Sequence, residues 1–339
     1  MNISIVGCGS ISRTHIEAVS GIDGARIISV ADCVPERAEA AAEKCGAKAY
    51  TGLESMLDGE KPDVLHICTP HYLHVPMAVY AMERGVDVLC EKPCAMTAEQ
   101  LSALRECQKE TGRRFGVCFQ NRYNRSVLFL KHIIDSGELG SVRGMRAFVT
   151  WRRDADYYAS GDWRGTKEYE GGGVLINQAL HTLDLLNLLG GGVSAVTAHA
   201  SNDHLRGIID VEDTVSVLAE FSAGFRGLFY ATTAHAVTSP IMLEVNFSSK
   251  TLRIEGNSVF EIGDGVITPV LDTEKAVGLS GKACWGSGHL ALIRDFYDAR
   301  ESGRPFAIDS FEGGRAVELM LTIYKSAETG ERIALQGAD

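Results

Sequence analysis

The sequence predicts two domains of different architecture. The first is an α/β Rossmann domain on a parallel sheet. The second is an α+β domain with a large, mostly antiparallel sheet. Three observations lead there. Apolar strand-like runs alternate with helix-like runs until about residue 120, the signature of parallel strands joined by crossover helices. After Asn121 one strand-like run follows another, punctuated by Gly, Asn and Ser, as in hairpin-connected antiparallel sheets. A length of 339 residues also suits two domains. We place the boundary so that residues 1–121 form the first domain and 122–339 the second.

The elements follow in order. NISIV (2–6) is a β-branched strand ending in GCGS, and 11–19 reads as a helix. ARIISVA (25–31) is a second strand that stops at Asp32. PERAEAAAEKC is a helix with Pro35 in its first turn, where the missing N–H costs nothing. After a short strand near Ala49 and Tyr50, DVLHICTP is a strand, 72–84 a helix, VDVLCEKP a strand, 97–111 a helix opened by Thr97, and RRFGVCF a strand. These strands are apolar on both faces, as buried parallel strands are. Beyond Asn121 come a helix at 125–136 ending at Gly137, the strand SVRGMRAFVTW, a polar loop with Trp163 and Arg164, and an apolar helix-like stretch, GGGVLINQALHTLDLLNLLGG. The strand-like runs VSAVTAHAS, DTVSVLAEF, FRGLFYATTA, IMLEVNFS and TLRIEG follow. Helices near 287–301 and 310–328 close the chain.

Composition narrows the function. Hydrophobic residues are 45% and charged ones 23%, as in soluble globular proteins. A net charge of −11, with no basic block, argues against a nucleic-acid partner. No run of about 20 apolar residues is present, so no membrane span is expected, nor is a signal peptide, and we expect a cytoplasmic protein. The nine cysteines are odd in number and irregularly spaced. They read as reduced thiols acting as small hydrophobes. Cys90 and Cys94 bracket EKP without a second Cys/His pair, so no metal site is expected. His15, His132, His199, His204, His235 and His289 carry no spacing signal and read as structural.

The loop GCGSIS lies between a strand and a helix. It fits G-x-G-x-x-G/A, with Ser12 in the last place. Gly7 permits the tight turn and Gly9 lets the backbone approach a pyrophosphate. The amides of Ser10, Ile11 and Ser12, at the positive end of the helix, would hold that phosphate. Asp32 lies 23 residues past Gly9, where a carboxylate accepts from a ribose and repels a 2′-phosphate. NAD is therefore expected over NADP. Arg37 is the nearest cation that could reach a phosphate, or else it is a solvated helix charge.

In open α/β sheets ligands bind beyond the carboxyl ends of the strands. One strand ends in Thr69, Pro70 and His71, with His74 close behind, and the next in Glu91, Lys92 and Pro93. A lysine there, partly desolvated, can exchange a proton near neutral pH. The plainer reading of Glu91 and Lys92 is a surface ion pair. Gln120, Asn121 and Arg122 follow the last strand of the first domain and are placed to touch nicotinamide or substrate.

The stretch 174–189 is apolar nearly all round, apart from Asn177, His181 and Asp184. At about 100° per residue these three fall within roughly 60° of one another. Buried polar groups need partners. Internal hydrogen bonds and a ligand both fit the stripe.

Taken together, GCGSIS, Asp32, TPHYLH, EKP and GGGVLINQALHTLD make the chain resemble the Gfo/Idh/MocA family of sugar and cyclitol oxidoreductases. The motifs cover the chain to about residue 190. The resemblance implies a substrate cleft between a Rossmann domain and a sheet domain, a cis peptide before Pro93, and a homodimer or homotetramer formed through one sheet face. It implies catalysis by Lys92 and His181. Asn177 stands where many members carry an aspartate; it can hold a hydroxyl but brings no charge. Asp184 is expected to pair within the core. The three glycines are expected to let the chain pass beside the nicotinamide. Asn177, Asn121, Arg122, Trp163 and Arg164 are the substrate candidates, Trp163 being equally suited to packing; Tyr157 and Tyr158 rank lower.

The reading is thus an NAD-dependent dehydrogenase of a hydroxyl on a sugar, nucleotide sugar or cyclitol. Two rivals stand beside it. One is a redox-cycling enzyme that modifies glycosides through a 3-keto sugar with retained NAD. The other is a non-catalytic dinucleotide sensor.

Overall fold

The computed structural model describes residues 1–271 and 288–335. They fall into two compact units. The first holds a six-stranded, all-parallel sheet in the order β3-β2-β1-β4-β5-β6. Its strands are β1 (Asn2–Val6), β2 (Arg26–Ala31), β3 (Lys48–Tyr50), β4 (Val64–Ile67), β5 (Asp87–Cys90) and β6 (Phe115–Val117). Helices α1 (Ser12–Ser20), α2 (Pro35–Cys45), α3 (Leu53–Gly59), α4 (His74–Glu83) and α5 (Ala98–Thr111) connect them. β4 and β5 are buried at every residue, so their continuous apolar runs have nowhere to show an alternation. The helix ends follow local chemistry. Thr97 caps α5 by accepting from the Gln100 amide at 3.2 Å, and Gly112 ends it in the left-handed conformation.

The second unit is built on a nine-stranded sheet, β14-β13-β12-β11-β7-β10-β9-β8-β15, antiparallel throughout except where β10 runs parallel to β7. Its strands are β7 (Val142–Thr150), β8 (Val193–Ser201), β9 (Thr214–Phe221), β10 (Arg226–Thr232), β11 (Met242–Phe247), β12 (Thr251–Glu255), β13 (Ser258–Ile262), β14 (Ile267–Leu271) and β15 (Ile333–Ala334). Alternation is clear in β9, where Val215, Val217, Ala219 and Phe221 are buried while Leu218 is 43% exposed. Register then sets one row across the outward face: Leu218 pairs with Leu228, Leu228 with Arg146, Arg146 with Glu244 and Glu244 with Arg253. Arg146 Nε meets Glu244 Oε1 at 2.7 Å, and Arg253 Nε meets Oε2 at 2.9 Å. Helices α6 (Arg125–Ser136), α7 (Ala155–Ala159) and α8 (Leu180–Leu189) precede β8.

The first unit runs from Met1 to Gln120 and takes back the chain up to Val317; the second begins at Asn121 and resumes at Glu318. Helix α9 (Gly288–Ser302) therefore belongs with the parallel sheet, as does the start of α10 (Gly314–Thr329). This differs from the expected assignment of everything after residue 121 to one domain. The reason is packing: α9 lies against α1, and a Cβ on Gly116 of β6 would meet the Phe296 ring at 2.8 Å. Helices α3 and α7 and strands β13, β14 and β15 were not expected from the sequence. No disulfide joins the eight cysteines among the described residues to one another. Among the described residues, no helix is long and apolar enough to cross a membrane.

Candidate functional site

In the first unit the site begins at the turn after β1. Gly7 has φ +87°, and a Cβ there would lie 2.7 Å from the Cys68 backbone. Only glycine lets β1 end so close to the end of β4. Gly9 is different: a Cβ on it would meet nothing within 4 Å. The loop thus leaves an approach for a ligand just where the motif places a pyrophosphate. Ser12 folds back, its hydroxyl donating to the Gly9 carbonyl at 2.7 Å. Ile11 sits at the N-cap of α1 without a side-chain cap, so Ser10 and Ile11 lie at a helix pole with open amides. Asp32 is buried, and its carboxylate accepts from the Cys8 amide at 2.7 Å and the Val34 amide at 2.9 Å. That holds the acid at the edge of the loop, as a ribose contact requires. Arg37 is exposed in the first turn of α2.

The ends of β4 and β5 are tied together. His74 brings Nδ1 within 2.7 Å of the Pro93 carbonyl and Nε2 within 2.9 Å of the Thr69 carbonyl. Burial holds this expected cofactor ligand below its ordinary pKa, and a neutral ring has a single N–H, so His74 donates to one of the two carbonyls while lying against both ends of the turn. Thr69 and Pro70 are half-buried and His71 is buried beside His74, the rings 5.8 Å apart. The Lys92–Pro93 peptide is cis. Lys92 is half-buried, and Gln120 is buried at the end of the unit.

Glu91 is no surface ion pair. It is buried and turns inward, with Oε1 3.0 Å from His15 Nε2 and 3.6 Å from His289 Nε2. His15 Nδ1 lies 2.9 Å from His66 Nδ1, and His66 Nε2 lies 2.8 Å from the Tyr297 hydroxyl. Burial holds the His66 ring well below its ordinary pKa, hence neutral. A neutral ring donates from one nitrogen and accepts at the other. Two orders satisfy every pair: either the Tyr297 hydroxyl donates to His66 Nε2 and His66 Nδ1 to His15 Nδ1, or His15 Nδ1 donates to His66 Nδ1 and His66 Nε2 to the Tyr297 hydroxyl; in both, His15 Nε2 donates to Glu91. Burial raises the Glu91 carboxyl, but hydrogen bonds and charge from His15 and His289 outweigh it and hold it well below the ordinary range. Sequence spacing could not reveal this chain, since its members come from α1, β4, α9 and the β5 end. His15, Glu91 and Cys118 also bring a nitrogen, an oxygen and a sulfur within 4.8 Å of one another, a trio able to hold a metal ion. Both His15 nitrogens already have the partners named above.

In the second unit α8 begins only at Leu180, and Asn177 lies on the preceding turns. Glu212 holds those turns. Its side chain accepts from the Gly173 amide at 2.9 Å and the Leu175 amide at 3.0 Å, and its carbonyl from the Val174 amide at 3.1 Å. Burial pushes the Glu212 carboxyl up, against these backbone bonds. A Cβ on Gly173 would overlap the Glu212 carbonyl oxygen, and one on Gly172 the Tyr324 hydroxyl. Within this unit, then, the glycines make room for Glu212 and Tyr324. Sequence reasoning had given that space to a nicotinamide.

The polar stripe divides. His181 is buried in the first turn of α8. Asp184, 1% exposed along its side chain, receives the Arg122 fork: Nε donates to Oδ2 at 2.8 Å and Nη2 to Oδ1 at 2.5 Å. Arg122, expected at the substrate, here joins α8 to the turn before α6 through Asp184. Asn121 beside it is buried and accepts from Asn124 at 3.5 Å. Asn177 donates its amide to Glu170, which is buried directly before the three glycines.

Tyr157, ranked low from sequence, is the hub here. Its hydroxyl accepts from Arg164 Nη1 at 2.7 Å and Gln178 Nε2 at 3.1 Å, with Asn177 Nδ2 at 3.5 Å. The Arg164 guanidinium lies 4.6 Å above the Trp163 ring and 4.7 Å from that of Tyr157. Trp163, Arg164, Tyr157 and Asn177 are thus linked into one half-buried polar surface. Its phenol presents a proton beside an amide, a pairing suited to hydroxyl groups.

Comparison with known proteins agrees with this fold. A profile described as the oxidoreductase family with an NAD-binding Rossmann fold matches residues 1–119. The GFO/IDH/MocA C-terminal domain matches residues 127–253. The chain is 26% identical to D-glucoside 3-dehydrogenase of Escherichia coli, over 99% of this chain and 97% of that protein. It is 27% identical to inositol 2-dehydrogenase of Rhizobium meliloti, over 80% and 82% of the two chains. The WlbA dehydrogenase of Bordetella pertussis, solved with NADH and UDP-GlcNAcA, superposes with a TM-score of 0.88 at 28% identity, covering 99% of this chain and 98% of that one.

Proposed function

Because the chain belongs to the GFO/IDH/MocA oxidoreductase family, we propose that it is an NAD-dependent dehydrogenase of a ring hydroxyl on a sugar, nucleotide sugar or cyclitol. The observation that carries this is the pairing of an intact dinucleotide turn with a lysine at the β5 end and a histidine opening α8. NAD, when bound, supplies the hydride acceptor. The open space over Gly9 and the tethered Asp32 fit a dinucleotide, and the acid favours NAD over NADP. Lys92 and His181 share the proton work: one of them takes the hydroxyl proton, and the lysine's positive charge steadies the developing oxygen. Asn177, Tyr157 and Trp163 orient the ring. The outward sheet face, with Leu218 and Leu228 43% and 44% exposed, is the surface for a homodimer or homotetramer.

A second reading draws on the similarity to D-glucoside 3-dehydrogenase: oxidation of a glycoside at its third carbon, with NAD retained for a later reduction. One screen tests both. NAD and NADP reduction is followed with inositols, aldoses, glycosides and nucleotide sugars. Net NADH formation supports the dehydrogenase. Product formation without net NADH, and with cofactor retained through gel filtration, supports the cycling enzyme. Lys92→Ala and His181→Ala should each lower turnover about 100-fold or more. Wild-type rates in both variants would remove the mechanism.

A further inference from the structure

We propose that Glu170 is a positioning residue of the substrate site, supplying through Asn177 the negative charge that an asparagine at that place lacks. The inference rests on the function proposed above and deepens it. Glu170 is 1% exposed. One carboxylate oxygen accepts from Asn177 Nδ2 and the other from the Gly165 amide. An ionised carboxylate satisfies a donor on each oxygen, whereas a protonated one would have to donate from one of them. The ionised group can only accept, so the nitrogen end of the Asn177 amide must face it and the carbonyl oxygen must turn the other way. The same nitrogen lies 3.5 Å from the Tyr157 hydroxyl, which fixes the amide from a second side.

The acid therefore does two things at once. It selects one of two amide orientations, presenting Asn177 as an acceptor for a hydroxyl proton. It also polarises the amide, since a donor bonded to a carboxylate strengthens the acceptor at its far end. An aspartate at 177 would set two carboxylates in hydrogen-bond contact, and such a pair does not keep both charges. Asparagine at 177 and glutamate at 170 are thus a matched pair carrying one charge, placed one side chain further back.

The test moves that charge. The full-length chain is compared with Glu170→Gln, Asn177→Asp and the double variant carrying both. The kcat and KM are measured with a substrate found in the screen above, and urea midpoints are measured for all four proteins. Glu170→Gln should lower kcat about 10- to 100-fold, the range for losing a hydrogen bond to a charged group. Asn177→Asp should also fall. The double variant, with a single charge relocated, should recover kcat to within about threefold of wild type. A purely structural Glu170 would change the midpoint but would not let kcat recover. Wild-type kcat in Glu170→Gln, or a double variant no faster than Glu170→Gln, overturns the proposal. If the wild-type chain oxidises nothing in the screen, the function fails and so does the substrate-site role of Glu170. The charge pairing is then judged separately: midpoints lost in both single variants and regained in the double support it, and additive losses sink it.

Discussion

The Arg122–Asp184 pair offers the sharpest test of how the second unit is held. Two parallel N–H to oxygen bonds join a guanidinium 10% exposed to a carboxylate 1% exposed. Breaking a buried pair by removing one partner costs about 3–5 kcal/mol. At 1.4 kcal/mol per decade, that is roughly a 100- to several-thousand-fold fall in the folded-to-unfolded ratio. Replacing both with apolar residues removes the desolvation cost along with the attraction and is near neutral, or stabilising by about 1–4 kcal/mol. The perturbation is therefore a cycle of Arg122→Met, Asp184→Leu and the double variant, read by urea denaturation. Both single variants should be strongly destabilised and the double should recover. The same proteins decide what Arg122 does. As a brace, its loss with Asp184 leaves KM close to wild type; as a substrate contact, it leaves a stable double variant with a raised KM. An Asp184→Leu variant within about 1 kcal/mol of wild type, or additive losses in the double, would refute the reasoning.

Further predictions concern the glycine loop, the acid after β2, the buried imidazoles and the phenol hub. Gly9→Ala should leave the urea midpoint unchanged and weaken NAD binding, whereas Gly7→Ala should destabilise the apoprotein, because only at Gly7 does a Cβ strike backbone at positive φ; calorimetric titration with NAD separates the two. Asp32→Ala should weaken NAD binding about 10- to 100-fold and narrow the preference over NADP, measured by competitive binding. Stability should fall with acid in two stages. Burial lowers His66 and His74 from their ordinary 6.5, so the unfolded chain takes up protons first and stability is lost as pH drops below about 6.5. Glu91 is held below its ordinary 4.5, so its contribution is present above that value and lost as pH falls through the lowered one. Midpoints that are flat with pH through both windows would contradict these assignments. Tyr157→Phe should raise KM about fivefold with a smaller change in kcat, since it removes one hydroxyl contact worth about 1 kcal/mol; an unchanged KM would remove Tyr157 from the site.

What the sequence made legible was local. The turn at Gly7 and Gly9, the acid at 32 and the ends of β4 and β5 each carry their meaning within a few residues, because strand, turn and helix pole are short-range objects. The outline of the second sheet was legible for the same reason, through alternation such as that of β9. The rest depends on partners far along the chain. The turns before α8 read as part of one apolar helical run, and nothing near them announced Glu212, in the connection before β9, which holds the amides of residues 173–175. The bond of Arg122 to Asp184 was out of reach because nothing near Arg122 announced an acid 62 residues on. Tyr157 looked ordinary until Arg164 and Gln178 closed on its hydroxyl. Glu170 had the one available signal, an acid directly before three glycines, but an acid before glycines has many uses and only its burial against Asn177 selects one.

Glu91, at the end of the row that runs from Tyr297 through His66 and His15, gives the first unit a fixed buried charge. Held well below the ordinary carboxylate range, it is silent to titration across neutral pH. Lys92, bonded to it through the chain, therefore sits beside a charge that does not change as the surroundings turn slightly acid or alkaline.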